Sequence, residues 1–355
     1  MTRVALVGTG FIAAVHAEAI LAARGIELAC VVERTPRHPA WGDRYGVPTF
    51  RTLSEAARVV SFDLVAVTVP TGAHVAVALE ALDLDKHVVI EKPADITLER
   101  IDSLLAAEAD AGRTVSVISQ HRFDPATSLV AELIEAGSLG RITSAIASTP
   151  WWRPQSYFEG SNWRGTWQHD GGGALINQGI HALDELVHLL GRPVEVFAWT
   201  ATLAHHIEVE DTAVGVVRFE SGALAALHAT TAANPGLNVS LSVMGSEGSA
   251  LIENHRLRYL HRSVPAEDDS EVRERPLSST NQVDDLPAGL REAVTREEPL
   301  GVGHTRQYEA IADALTGLGV GEGVRPPVPL VEHRSSLALV LGLYRSARTG
   351  VVVPL

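Results

Sequence analysis

Through the first 120 residues, short runs that are apolar at every position alternate with longer stretches that are apolar only at every third or fourth. Val4-Ala5-Leu6-Val7-Gly8 reads as a buried strand, and 11–23 as a helix with its apolar positions at helical spacing. The same reading puts strands at 26–32, weakly at 48–50, strongly at 64–69, and again at 87–90 and 115–118. Helices fall between them at 54–59, 73–82 and 98–111. Strands with no exposed side, separated by helices, predict a parallel sheet covered on both faces.

After Gln120 the rhythm changes. A helix at 125–136 leads to a strand at 142–148, an irregular aromatic stretch at 151–169 and a helix at 174–190. The segments 194–203, 212–219, 223–230, 237–244 and 249–260 read as strands with no helix between them, which predicts a largely antiparallel sheet. Residues 262–300 are polar and acidic and read as a surface excursion, and helical patterns at 305–315 and 333–347 return to the body. The expected architecture is α/β: a parallel-sheet domain over 1–121, then an α+β domain over 122–355 on an open, mostly antiparallel sheet.

Composition narrows the class of partner. With 46% apolar and 20% charged residues the chain reads as globular, and 355 residues suit about two domains with cores of their own. The single cysteine, Cys30, excludes an intramolecular disulfide framework and points to a reducing compartment. No run of about 18 uncharged apolar residues occurs, and Met1-Thr2-Arg3-Val4 leads straight into a strand pattern with no room for a signal peptide. A formal charge of −14 argues against nucleic acid or an anionic membrane as partner. These features together predict a cytoplasmic protein. Of 29 basic residues only Lys86 and Lys92 are lysine, and a position that needs a titratable amine cannot use arginine.

Gly8-Thr9-Gly10-Phe11-Ile12-Ala13 stands where the first strand gives way to the first helix. The first glycine permits the tight turn, and the second lets main chain approach a pyrophosphate. Ala13 still allows close helix–strand packing, with the phosphates on the helix N-terminus. Glu33, ending the second strand 20 residues past Ala13, can accept from a ribose 2′-hydroxyl and repels a 2′-phosphate, which favours NAD. Arg34 beside it could clamp that phosphate, so NADP stays open. For the glycines alone, a flavin or nucleotide-sugar site, or a plain turn, is the competing reading.

Glu91-Lys92-Pro93 follows the strand at 87–90, on the edge where open α/β sheets bind ligands. A desolvated lysine there can act as general base toward a hydroxyl, the alternative being a strand-end lysine reaching to water. The sharp turn that must follow predicts a cis Lys92–Pro93 bond. Farther on, Gly171-Gly172-Gly173 opens a helix whose Asn177, His181, Asp184 and His188 fall within roughly 60° of one another. One reading makes His181 an acid/base or hydroxyl partner, Asn177 a substrate donor and acceptor, and Asp184 the residue that orients the imidazole. His181, Asp184 and His188 also have ligand-like spacing, but hydride transfer needs no metal and none is assigned. A buried polar face that satisfies loop main chain is the third reading, and it suits His188.

Taken together, Gly8-x-Gly10-x-x-Ala13, Glu91-Lys92-Pro93 and the stretch from Gly171 through Asn177 and His181 to Asp184 resemble the glucose–fructose oxidoreductase/inositol dehydrogenase/MocA family. The resemblance runs over nearly the whole chain, through Ser119-Gln120-His121-Arg122-Phe123-Asp124-Pro125 and the C-terminal Tyr344 to Gly350. It implies a Rossmann domain that binds NAD or NADP and oxidation or reduction of a sugar or cyclitol hydroxyl. It also implies a homo-oligomer, dimer or tetramer, formed through the C-terminal sheet. Lys92 takes the family's catalytic acid/base role and His181 that of the later histidine; Phe11, Ile12, Pro70, Glu91 and Gln120 complete the assigned cofactor residues. Inositol dehydrogenase-like members carry Asp where this chain has Asn177. The Asn resembles a branch with sugar 3-dehydrogenases and nucleotide-sugar dehydrogenases, which disfavours inositol. Two rival functions remain open: a glycosidase or lyase that oxidises its sugar transiently, and a non-catalytic dinucleotide sensor.

Trp151, Trp152, Trp163 and Trp167 fall within 17 residues, with Arg153, Gln155, Tyr157, Phe158 and Arg164 among them. Aromatic faces suit a pyranose and arginines its hydroxyls or carboxylate. A flap buried against the body or a sister subunit is the competing reading. His304 and Gln307 are assigned to the far side of the substrate, and His205-His206 and Glu267-Asp268-Asp269 to solvated loop.

Overall fold

The structure, a computed structural model, describes residues 1–34, 41–160, 164–262, 280–317 and 325–355. Its first sheet holds β1 (Thr2–Val7), β2 (Ile26–Val32), β3 (Thr49–Phe50), β4 (Leu64–Val67), β5 (His87–Ile90) and β6 (Val115–Val117) in the order β3-β2-β1-β4-β5-β6. Every pair in it is parallel. Helices α1 (Phe11–Ala22), α2 (Trp41–Tyr45), α3 (Leu53–Val59), α4 (His74–Asp83) and α5 (Leu98–Ala111) connect the strands. The chain order reverses at β1, which opens a crevice past the carboxyl ends of β1 and β4. Val4, Ala5 and Leu6 are fully buried, and Ala13, Ala17 and Ile20 of α1 pack in the same core. That core is closed by Tyr308, Ile311 and Ala312 from the helix Val302–Thr316.

A second sheet holds β7 (Ile142–Pro150), β8 (Pro193–Ala201), β9 (Thr212–Phe219), β10 (Leu224–Thr230), β11 (Ser240–Gly245), β12 (Gly248–Glu253), β13 (Arg256–Arg262) and β14 (Val353–Pro354). Their order is β13-β12-β11-β7-β10-β9-β8-β14, antiparallel except between β7 and β10. Helices α6 (Pro125–Glu135), α7 (Gln155–Glu159) and α8 (Ile180–Leu190) accompany it. Contacts divide the chain into two units, Met1–Gln120 with Gln168–Gly171 and Glu298–Leu337, and His121–Trp167 with Gly172–Glu297 and Ala338–Leu355. The expected boundary after 121 marks only the first crossing, since the chain returns to the first unit near its end.

Two expectations need correction. The single strand expected at 249–260 is a hairpin, turned at Asn254 and His255 with φ of 45° and 63°. Both central residues of such a mirror-image turn are left-handed, and Asn-His carries a far weaker signal for it than Asn-Gly. The helix expected at 174–190 opens with a π turn over Leu175–Gly179 before α8 begins. A π turn takes an extra residue per turn, so Asn177 is not on the 100° spacing that relates His181, Asp184 and His188. The acidic run 267–269 lies outside the described residues.

Candidate active site

Because β1, β2, β4, β5 and β6 run parallel, the residues that follow them emerge at one edge of the sheet. These are Gly8, Glu33, Pro70, Glu91 with Lys92, and Gln120. Gly8 has φ +114°, and a Cβ there would meet the Thr68 carbonyl and hydroxyl at 2.8 Å, so conformation and space both demand glycine. Thr68 is itself held by its hydroxyl, which donates to the Val7 carbonyl at 2.9 Å. Gly10 precedes α1 in extended conformation, a Cβ built on it has nothing within 4 Å, and no acid stands in the first helical turn. Ala13 is fully buried, Ile12 half-buried and Phe11 exposed. The buried Glu33 accepts a hydrogen bond from the Thr9 hydroxyl at 2.8 Å, while Arg34 is exposed. An open main chain at Gly10, an acid-free helix N-terminus and a carboxylate at the end of β2 fit the pyrophosphate and ribose of NAD.

Lys92 is half-buried and the Lys92–Pro93 bond is cis, as is Asn234–Pro235, which the sequence reading did not pick out. Behind Lys92 lies a buried polar cluster. Glu91 accepts from the Lys92 main-chain N–H at 2.9 Å and from His16 Nε2 at 2.9 Å, and His16 Nδ1 lies 2.7 Å from the Tyr308 hydroxyl. His74, the first residue of α4, sets its ring nitrogens 2.9 and 2.8 Å from the carbonyls of Pro93 and Val69, tying the turn after β5 to the end of β4. His304 and Gln307 do not line an open wall. His304 is 2% exposed with Nε2 3.7 Å from Glu91, and Gln307, fully buried, donates to the Val117 carbonyl and accepts from the Ser119 N–H. Their polarity belongs to the packing beneath the sheet edge. The sequence does not point to His16 and Tyr308 because their partners stand far away in the chain, nor to His74 because it pairs with main-chain carbonyls.

In the second unit Gly172 and Gly173 have a steric cause. A Cβ at Gly172 would run into Tyr344, and one at Gly173 into the Glu210 carbonyl. The Glu210 carboxylate accepts from the N–H groups of Gly173 and Leu175 and from the Tyr344 hydroxyl, all at 2.9 Å. Burial pushes its pKa up to about 7 against these donors. Asn177 and His181 are partly accessible, and the His181 ring meets His121 edge-on at 5.2 Å. Asp184 has a partner that the sequence did not point to. Both its oxygens accept from Arg122, at 2.8 and 2.7 Å, in a pair buried on both sides. It anchors α8, with His181 one turn before it. His188 is exposed.

In the aromatic segment, Tyr157 lies between two guanidiniums, with the carbons of Arg153 and Arg164 at 4.8 and 4.3 Å from its ring centre. Arg153 also stands over Trp151 at 5.0 Å, and Trp152 is exposed with its ring 5.9 Å from that of His205. Trp163 lies outside the described residues. His205 is not solvated loop: it is buried between Asp211, 3.1 Å from Nδ1, and the Arg153 carbonyl, 2.7 Å from Nε2. His206 is exposed, as expected.

Two groups of described residues bring metal-ligating atoms together: His16, Glu91 and His304, and His121, Asp124 and His255. In the first, both ring nitrogens of His16 already have partners. In the second, the rings of His121 and His255 stack at 3.7 Å and 4°, and two parallel imidazoles cannot both point lone pairs at one ion. Neither group is assigned a metal.

Beneath α8, Glu185 is buried and accepts from the Thr127 hydroxyl at 2.7 Å, and burial pushes its pKa up to about 7 from 4.5. A raised carboxyl stabilises the fold fully below its unfolded value and loses that contribution as pH rises through the folded one. Glu185→Gln, a neutral mimic, is therefore expected to gain on the parent protein above pH 7 by up to about 3 kcal/mol. Unfolding of the two proteins in denaturant on either side of neutrality checks this.

The fold and site define an NAD-binding oxidoreductase. Residues 2–119 match the oxidoreductase family with an NAD-binding Rossmann fold, and residues 127–251 match the GFO/IDH/MocA C-terminal domain. The chain belongs to the Gfo/Idh/MocA family, whose relatives include sugar and cyclitol dehydrogenases. It is similar to the WlbA dehydrogenase of Bordetella pertussis, solved with NADH and UDP-GlcNAcA, with 32% identity, TM-score 0.86 and coverage of 100% of this chain and 97% of that one. The corresponding WlbA from Chromobacterium violaceum, also with NADH and UDP-GlcNAcA, is 30% identical with TM-score 0.82, covering 100% and 96%. Among curated relatives, inositol 2-dehydrogenase of Rhizobium meliloti is 28% identical over 72% of this chain and 76% of its own.

Proposed function

We propose that this protein is an NAD-dependent dehydrogenase that acts on a secondary alcohol of a nucleotide-linked sugar acid. Likeness to the UDP-GlcNAcA-bound WlbA over the full length of the chain is the observation that carries the choice of substrate class. Asn177 in place of the inositol-type aspartate, and the arginines Arg153 and Arg164, support it: guanidinium groups suit carboxylate and phosphate. Gly8, Gly10, Ala13 and Glu33 would hold the dinucleotide, which when bound supplies a hydride acceptor at its nicotinamide. Lys92 takes the proton of the substrate hydroxyl during oxidation and returns it during reduction. His181 and Asn177 offer an imidazole and an amide to sugar hydroxyls. The buried Glu33 carboxylate favours NAD over NADP.

Initial rates with NAD and a panel of UDP-linked uronic acids, free sugar acids, glycosides and inositols test the reading. The UDP-linked acids are expected to have the highest kcat/KM. Turnover of an inositol with none of a UDP-linked acid would contradict the substrate class.

We further propose that the protein assembles with copies of itself through the second sheet. One face of it carries Ile146, Trp199, Val214, Val216 and Leu224, each between 43% and 65% exposed. Val216→Glu is expected to shift the mass measured by light scattering from an oligomer to the single chain, because a carboxylate in such a face cannot be desolvated unpaired. A wild-type protein that runs as a monomer contradicts the assembly.

A further inference from the structure

Both oxygens of the Glu91 carboxylate are engaged. From α1, His16 donates Nε2–H to Oε1, and the Tyr308 hydroxyl donates to His16 Nδ1; this arrangement gives a neutral imidazole one donor and one acceptor role. From the following residue, the Lys92 main-chain N–H donates to Oε2. The other titratable groups that act on Glu91 and His16 are His304 from the helix Val302–Thr316, His74 from α4, and the Lys92 amine. Burial works against the charged form of Glu91, yet the His16 hydrogen bond and the neighbouring positive charge hold it well below the usual carboxylate range. Burial also lowers the pKa of His16, which leaves that ring neutral. The cluster thus brings one negative charge into the interior, one residue from Lys92. A charge so costly to desolvate persists only when it is paired.

Resting on the dehydrogenase reading above, we infer that Glu91, locked by His16 and Tyr308, is a positioning residue that pins the Lys92 main chain and sets how tightly the Lys92 amine holds its proton. With both its oxygens engaged and its own basicity low, Glu91 does not take over the substrate's proton, which stays on Lys92 Nζ. Glu91 is fixed from behind by residues of two helices, so the carboxylate that precedes Lys92 cannot swing away when a substrate enters.

The two lysines of the chain make a direct test possible. In a Lys86→Arg background Lys92 is the sole lysine, and competitive acylation followed by mass spectrometry titrates its amine with neither cofactor nor substrate present. Adding Glu91→Gln is expected to lower the midpoint of that titration by about one pH unit, roughly a tenfold gain in labelling at fixed pH below the midpoint. The amide keeps an acceptor for the Lys92 N–H, and His16 and Tyr308 can reverse their roles to suit it. Glu91→Met, apolar and of similar volume, is the second variant and is expected to give the same direction of shift. Glu91→Asp, which keeps the charge, is expected to stay near the parent. A midpoint unmoved in folded Gln and Met variants overturns the inference. A moved midpoint with an unchanged pH profile of kcat leaves it standing and removes Lys92 from the chemistry instead, so the two failures are distinguishable.

Discussion

Lys92→Arg is expected to lower kcat by about a thousandfold while NADH binding and thermal stability stay near those of the parent protein. Arginine keeps the charge and most of the bulk, but it does not give up a proton at any working pH, so only acid/base catalysis is removed. A positioned general base is worth about 10²–10⁴ in rate, and the loss should lie in that range. Stopped-flow appearance of reduced nicotinamide in a single turnover measures the step apart from product release. Retained turnover in the variant would move the acid/base role to another side chain, with His181 the first to examine. The half-buried position of Lys92 past β5 and the scarcity of lysine in the chain both make this substitution informative.

Arg122→Ala is expected to destabilise the protein by about 3–5 kcal/mol, because it removes the guanidinium that bonds both oxygens of the buried Asp184. Their side chains are each 6% exposed and joined by two hydrogen bonds, so little solvent can replace the guanidinium. The double variant with Asp184→Ala should cost less than the two single losses combined, since the stranded charge is then gone. Denaturant unfolding measures all three. Additive losses would show that the pair contributes nothing as a pair. Since Asp184 anchors α8 one turn after His181, the Arg122 variant is also expected to lose kcat/KM beyond what its folded fraction explains.

The first sheet was legible because its strands are apolar throughout and its turns carry glycine and proline where the backbone needs them. Gly8 illustrates this: the tight turn inferred from the motif is a position where φ is positive and Thr68 leaves no space for a Cβ. The edge residues Glu33, Glu91 and Lys92 were equally legible, since parallel strands deliver whatever follows them to one place. Side-chain partners were not. Helical periodicity reports neighbours on one face only, so it relates Asp184 to His181 and says nothing of Arg122. Arg122, which pairs with Asp184, is 62 residues away and reaches it through tertiary packing. For the same reason His304 looked like a polar wall residue, when it is part of the packing around Glu91, and the pairing of His16 with Tyr308 spans 292 residues. The turn at Asn254 and His255 escaped because neither residue is glycine, although both take left-handed conformation.

The fate of one hydrogen atom decides whether hydride transfer takes place. The protein is given NADH deuterated at nicotinamide C4 together with the keto form of a UDP-linked sugar acid, and the reduced sugar is analysed by mass spectrometry and NMR. Deuterium is expected on the carbinol carbon from one face of the cofactor, at a rate that collapses in Lys92→Arg. A reduced sugar without that deuterium, or sugar turnover that instead draws hydrogen onto carbon from solvent, would contradict it.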